Sequence, residues 1–190
     1  MERNGIICLE TEWEHTKKDN KRYLSSEPLM RFLEKCFCMP YIYRIIATRE
    51  ELVYYLRQFN KADYRRKYGF MYFNFHGWTH GIQLEGDVNL LPLNELQEIG
   101  GDVFRDRFVH FSSCRTFLGS QSVIDDFKEK SGAMMVSGYT KSVDTVLSSI
   151  FDIALIQEYQ NSQQIRTIIQ HLNNRCGGLQ EELGFRTNTI

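Results

Sequence analysis

An imidazole and a thiol are the groups in this sequence best suited to chemistry, and each stands where an apolar run gives way to a loop. His76 and Gly77 follow Tyr68-Gly69-Phe70-Met71-Tyr72-Phe73-Asn74-Phe75, and Cys114 follows Phe108-Val109-His110-Phe111-Ser112-Ser113. Both runs read as strands, and in an open α/β sheet the loops at the carboxyl ends of strands are where ligands and chemistry collect. A thiol is a weak nucleophile at its free pKa of about 8.5, and a neighbouring imidazole takes its proton or stabilises the thiolate. Acyl transfer also needs donors aimed at a developing oxyanion, and backbone N–H groups serve where no side chain blocks approach. His76 is therefore the candidate base and Cys114 the candidate nucleophile. The amides of Gly77 and Cys114 are the candidate oxyanion donors.

Other residues of the same types compete for these roles. His80 lies a few residues into the same loop as His76, and spacing alone does not separate the two. His110 is four residues before Cys114, roughly 13 Å at strand rise, too far to accept its proton, so a packed histidine is expected. Cys8 falls in an apolar run, Cys36 and Cys38 sit by a helix end, and Cys176 precedes a glycine pair; packing suffices for all four. Cys36-Phe37-Cys38 has the wrong spacing for a zinc knuckle and no second Cys/His pair completes it, so no metal and no cofactor are expected.

The elements that must position these residues alternate between strand and helix patterns, which predicts an α/β fold with a largely parallel sheet. Strands are expected at residues 5–10, 41–47, 68–76, 108–113 and 133–138, with a short hairpin strand at 81–86. Pro28 opens a helix to about Cys38, Thr48 with Glu51 forms a capping box for a helix through Phe59, and shorter helices follow at 92–99 and 120–130. Helices are expected over 145–159 and 163–173, a break at Gly177-Gly178, and a sixth strand or tail over 179–190. Residues 11–26 read as a polar loop. No repeat or linker divides the chain, so residues 1–190 form a single domain.

Phe75-His76-Gly77 and Phe111-Ser112-Ser113-Cys114-Arg115-Thr116 together resemble the His-Gly and Cys blocks of the clan CD cysteine peptidases, and most closely those of CHAT domains. The order after Cys114 is similar too: a helix, a strand ending at Gly138, a turn with Asp144, and a long helix. The likeness covers roughly residues 68–160. It implies a caspase-like three-layer sandwich, with a mostly parallel sheet of about six strands flanked by helices. It also implies a cysteine endopeptidase acting through a His76–Cys114 dyad on a protein or peptide substrate, as a regulated effector that could depend on a separately encoded regulatory or sensor protein, as in bacterial defence. The caspase signature Gln-Ala-Cys-X-Gly is absent, so aspartate specificity is not implied. Asp144 matches the aspartate of the CHAT turn, where it could line the substrate pocket and select a basic side chain. An N-cap for the helix starting near Thr145 is the competing role. The alternative function is a catalytically silent caspase-like binding or adaptor module.

Composition is in keeping with one core-forming domain. The 190 residues are 42% hydrophobic, with 13 Phe and 10 Tyr. Five cysteines without a secretory signal point to a reducing, cytoplasmic setting, and no apolar stretch approaches the roughly 20 residues of a membrane span. A net charge of −1 gives no broad basic surface for nucleic acid, and the basic clusters at residues 17–22 and 65–67 are short and read as solvated. Nucleotide binding of the flavodoxin type would need a glycine loop after the first strand, where Leu9-Glu10-Thr11-Glu12 is acidic instead.

Overall fold

Strands apolar at successive positions must be covered on both faces. The computed structural model, which describes residues 4–11, 24–85, 89–162 and 164–189, places four such strands inside a six-stranded sheet. In chain order the first half comprises β1 (Gly5–Glu10), α1 (Glu27–Phe37), β2 (Tyr41–Ile45), α2 (Arg49–Phe59), α3 (Ala62–Lys67), β3 (Tyr68–Asn74), β4 (His76–Trp78) and β5 (Gly81–Gln83). The second half comprises β6 (Leu91–Pro92), α4 (Leu93–Gly100), β7 (Phe108–Phe111), α5 (Gln121–Ser131), β8 (Met135–Tyr139), α6 (Thr145–Asn161), α7 (Ile165–Leu183) and β9 (Phe185–Thr187). The large sheet runs β2-β1-β3-β7-β8-β9, and β9 alone is antiparallel to its neighbour. β4, β5 and β6 form a small antiparallel sheet of their own.

Alternation along the strands builds a core on each face. Ile7, Leu9, Met71, Phe73, Val109, Phe111 and Val136 face one way and pack with α2, α4 and α5. Ile6, Cys8, Phe70, Tyr72, Phe108, Met135 and Tyr139 face the other way and pack with α1, α6 and α7. The result is a mixed α/β sandwich of helices, sheet and helices. β1 has β2 on one side and β3 on the other, so the chain reverses its direction of winding there, and the crevice at the carboxyl ends of β1 and β3 is the switch point of the sheet.

Local signals operate as the residue types require. Thr48 Oγ1 accepts the Glu51 N–H while the Glu51 carboxylate accepts the Thr48 N–H, the reciprocal box expected for α2. Parts of the chain differ from the sequence reading. β3 ends at Asn74, and His76 begins the separate strand β4 after a bend at Phe75. The Gly177-Gly178 break is a kink one residue earlier, at Cys176 (φ −130°, ψ 20°), and α7 continues to Leu183 because Leu179 and Leu183 still have an apolar face to cover. Gly184, at φ +66°, then turns the chain back so that β9 becomes the sixth strand. The polar loop at 11–26, the basic cluster at 17–22 and the end of the hairpin strand at 86 lie largely or wholly outside the described residues.

A buried polar cluster joins the sheet to α6. Asp152 is fully buried; its Oδ1 accepts from His110 Nε2 at 2.8 Å and from the Tyr139 hydroxyl, and its Oδ2 accepts from Tyr72 at 2.6 Å and Ser112 at 2.7 Å. His110 Nδ1 reaches Ser137 Oγ at 2.9 Å. Burial pushes the Asp152 carboxyl up, but His110 and the donated hydrogen bonds outweigh it and hold the group below the ordinary carboxylate range. Burial and the Asp152 charge push both tyrosines well above theirs. Asp152→Ala strands these donors in a dry site and should cost about 3–5 kcal/mol in urea unfolding at pH 7. Because the folded carboxyl binds its proton at lower pH than the unfolded one, its contribution is complete above the ordinary range and is lost as pH falls through the depressed value. Unfolding midpoints of the wild type should therefore converge toward those of the variant below about pH 4.

Candidate active site

Parallel pairing sets the two chemical loops side by side. β3 and β7 run in register from Phe70↔Phe108 to Phe73↔Phe111, so their carboxyl ends coincide. Ser112 N–H extends the ladder to the Phe73 carbonyl at 2.8 Å, and the Phe75 N–H donates to Ser113 Oγ at 3.1 Å. His76 and Cys114 thus leave the same edge of the sheet from adjacent strands. Contact between the loops is closer than any side chain permits. A Cβ on Gly77 would lie 2.0 Å from the Cys114 carbonyl oxygen and 2.9 Å from its carbon. Space, rather than an unusual φ, demands glycine at this position. The His80 N–H continues the junction by donating to the Thr116 carbonyl at 3.1 Å.

The cysteine turn is braced from its other side by the end of β8. Arg115, at φ +57°, holds a left-handed conformation that costs on the order of 1–3 kcal/mol unless its surroundings fix it. They do: its N–H donates to the Lys141 carbonyl at 2.9 Å, and the Phe117 N–H to the Tyr139 carbonyl at 2.9 Å. Cys114 is half-buried, and the Val143 N–H points at its sulfur at 3.4 Å. Among the described residues the Cys114 N–H meets no protein acceptor. His76 is half-buried in β4, opposite Gln83.

Residues 3–188 match the model of a family described as a family of unknown function, DUF6642. The chain belongs to that family. No curated protein matches the sequence.

In this DUF6642 chain a cavity of about 150 Å³ opens beside Cys114, at the switch point, with Ser26, Tyr72, Asn74, Ser112, Val143 and Ser149 in its wall. Asp144 does not line it. Instead, its Oδ1 accepts the Val146 and Leu147 N–H groups at 2.9 and 3.0 Å, the N-cap of α6, although its neighbours Val143 and Thr145 do reach the cavity. His80 sits in the tight turn between β4 and β5 at φ +58°, and a Cβ on Gly119 would lie 2.8 Å from its Nε2. Its ring therefore packs over Gly119, and burial, followed by the Arg186 charge, lowers its pKa. His110 is the packed histidine expected, inside the Asp152 cluster. Cys8 is fully buried, and burial raises its thiol well above the usual range. Cys36, Cys38 and Cys176 are free and distant from the histidine loop in the chain. Asp126 pairs with Lys130 at 3.7 Å on the surface, whereas Asp125 receives the Thr189 N–H at 2.7 Å and so ties down the segment after β9. Among the described residues no group of three or more His, Cys, Asp or Glu side chains could hold a metal ion, and no helix is long and apolar enough to cross a membrane.

Two acidic residues at this edge were not singled out from the sequence. Glu10 ends β1 buried, receiving the Ser26 N–H at 3.0 Å, Asn74 Nδ2 at 2.8 Å and the Tyr43 hydroxyl at 2.5 Å. Asp152 stands beneath the cysteine loop through Ser112. Asp152 did leave a trace, a lone carboxylate inside an otherwise apolar stretch, which folds only if donors surround it, whereas Glu10 closes an apolar run just before Glu12 and bears no such mark.

Gly77→Ala should separate the two loops, lowering stability by about 1–3 kcal/mol and sharply reducing the rate at which iodoacetamide alkylates Cys114 relative to an unfolded control. Asp144→Ala should cost about 1 kcal/mol in thermal or urea unfolding, the loss of an N-cap. Unchanged stability would free the carboxylate for another role.

Proposed function

We propose that this chain is a cysteine endopeptidase of the caspase-like, CHAT-resembling kind, with Cys114 as nucleophile and His76 as acid–base. The observation that supports it is the backbone contact between Gly77 and the Cys114 carbonyl, which brings the His-Gly loop onto the cysteine loop at one sheet edge. In the reaction the Cys114 thiolate adds to the scissile carbonyl carbon. The Cys114 N–H, directed at no protein acceptor among the described residues, and the Gly77 N–H receive the oxyanion. Collapse breaks the C–N bond, His76 protonates the departing amine, and water then cleaves the thioester to release the acid and restore the thiol. A cytoplasmic setting, where five free cysteines stay reduced, and control by a separately encoded sensor protein complete the reading.

Cys114→Ala should abolish both hydrolysis of fluorogenic peptides and labelling by a peptide acyloxymethyl ketone. His76→Ala should lower kcat/KM by about 10²–10⁴-fold, whereas His80→Ala should keep most of it, since its ring packs on Gly119. Assays are run with and without the products of neighbouring genes. Full activity in His76→Ala removes the dyad, and no Cys114-dependent turnover under any condition leaves a binding module.

A further inference from the structure

The cavity beside Cys114 has a wall whose hydrogens are nearly all turned away from it. A carboxylate or a peptide carbonyl can only accept, so any hydroxyl or amide bonded to one must donate and is left with lone pairs on its open side. On the β1 side, Ser26 Oγ donates to Glu10 at 3.2 Å, while Asn74 Nδ2 donates to Glu10 at 2.8 Å and to Ser26 Oγ at 2.6 Å. Both amide hydrogens of Asn74 are thereby used, and its oxygen remains. Tyr72 of β3 and Ser112, just after β7, donate to Asp152 at 2.6 and 2.7 Å. From α6, Ser148 and Ser149 donate to the Thr145 carbonyl at 3.3 and 2.7 Å. All six residues line the cavity.

The geometry points to a specificity pocket for a cationic, donor-rich P1 side chain, lysine or arginine, recognised by this wall of acceptors and by the two carboxylates, Glu10 and Asp152, that stand one layer behind it. A neutral acceptor such as an amide oxygen would meet lone pairs on every side, and an acidic P1 residue would add repulsion from both carboxylates. An ammonium or guanidinium brings three to five hydrogens and no lone pair, the complement of this wall. At about 150 Å³ the space far exceeds the roughly 10–15 Å³ that one water requires, leaving room for a side chain of several heavy atoms. Selection of basic residues thus rests on Glu10 and Asp152 acting through hydroxyls, and Asp144 remains a helix cap. This inference rests on the endopeptidase reading for the word P1, but the preference of the cavity for a cation does not depend on turnover.

The test has a binding arm and a turnover arm. In the Cys114→Ala full-length protein, argininamide and its neutral isostere citrullinamide are titrated by ¹⁵N NMR. Argininamide should shift the resonances of Asn74, Ser112 and Ser149 and bind roughly tenfold more tightly. Equal or tighter binding of citrullinamide, or shifts that miss these residues, overturns the assignment. In the wild type, peptides with arginine or lysine at P1 should be cleaved roughly tenfold or more faster in kcat/KM than those with citrulline or norleucine. Cleavage restricted to neutral or acidic P1 residues overturns the pocket and leaves the dyad standing. Argininamide preference without cleavage of any peptide sinks the endopeptidase reading and leaves the pocket. Ser112→Ala should narrow the arginine-to-citrulline ratio rather than lower both rates equally. Should that variant fail to fold, Ser149→Ala on α6 provides the same comparison, and an unchanged ratio in a folded variant counts against the acceptor wall.

Discussion

A carboxylate shut away from water must be surrounded by donors, and meeting that requirement at Asp152 fixes how the sheet is assembled. Two of its partners, Tyr72 and His110, are register partners on neighbouring strands, and His110 is in turn opposite Ser137, which its Nδ1 reaches. Sliding β3, β7 or β8 by one residue would carry its polar member to the opposite face, against α4 and α5, and bring an apolar side chain onto the carboxylate. The two apolar cores alone specify register loosely, since phenylalanine, valine and methionine occur on both faces. The polar line removes that freedom. Because register also decides which residues stand at the carboxyl edge, the same line determines that Phe73 and Phe111 end together and that the histidine and cysteine loops start level.

The sheet and most of its helices were legible because the signals were local. Apolar runs bounded by polar segments, a Thr48–Glu51 box and a proline in the first turn of α1 act through a few neighbouring residues. The close of the chain was less legible because two local signals conflict with a long-range one. Glycines at 177 and 178 weaken a helix, yet the apolar face of α7 beyond them must still be covered by α6 and the sheet, and a kink at Cys176 satisfies both. The helix α3 was missed for a related reason: six mostly charged residues with no buried side chain carry no apolar period to read.

The candidate site divides in the same way. A histidine before a glycine and a cysteine after a strand are chemical types at visible positions, and their juxtaposition follows from strand order. The cavity is different. Its character comes from pairings between residues far apart in sequence, Glu10 with Ser26 and Asn74, Tyr72 and Ser112 with Asp152. Serine and asparagine at strand ends have no direction until their acceptors are known, so the polarity of the wall was invisible until the chain was folded. Position 144 shows the converse, since an aspartate just before a helix already has a sufficient local task.

The brace behind the cysteine turn has a consequence for the order of assembly. Arg115 and Phe117 hang from carbonyls at Lys141 and Tyr139, and the Thr140 N–H in turn donates to the Gly184 carbonyl at 2.9 Å, where β9 begins. Asn188 closes the far end of that strand onto Val136 through its own N–H and its Oδ1, at 3.0 and 2.9 Å. During synthesis β3, β7 and α5 leave the ribosome well before Gly184, and until it follows, the left-handed turn at Arg115 rests on a strand with an open edge. A nascent chain can therefore bury most of its core while the turn at Cys114 is still loose, and that turn is fixed only as the antiparallel edge strand docks.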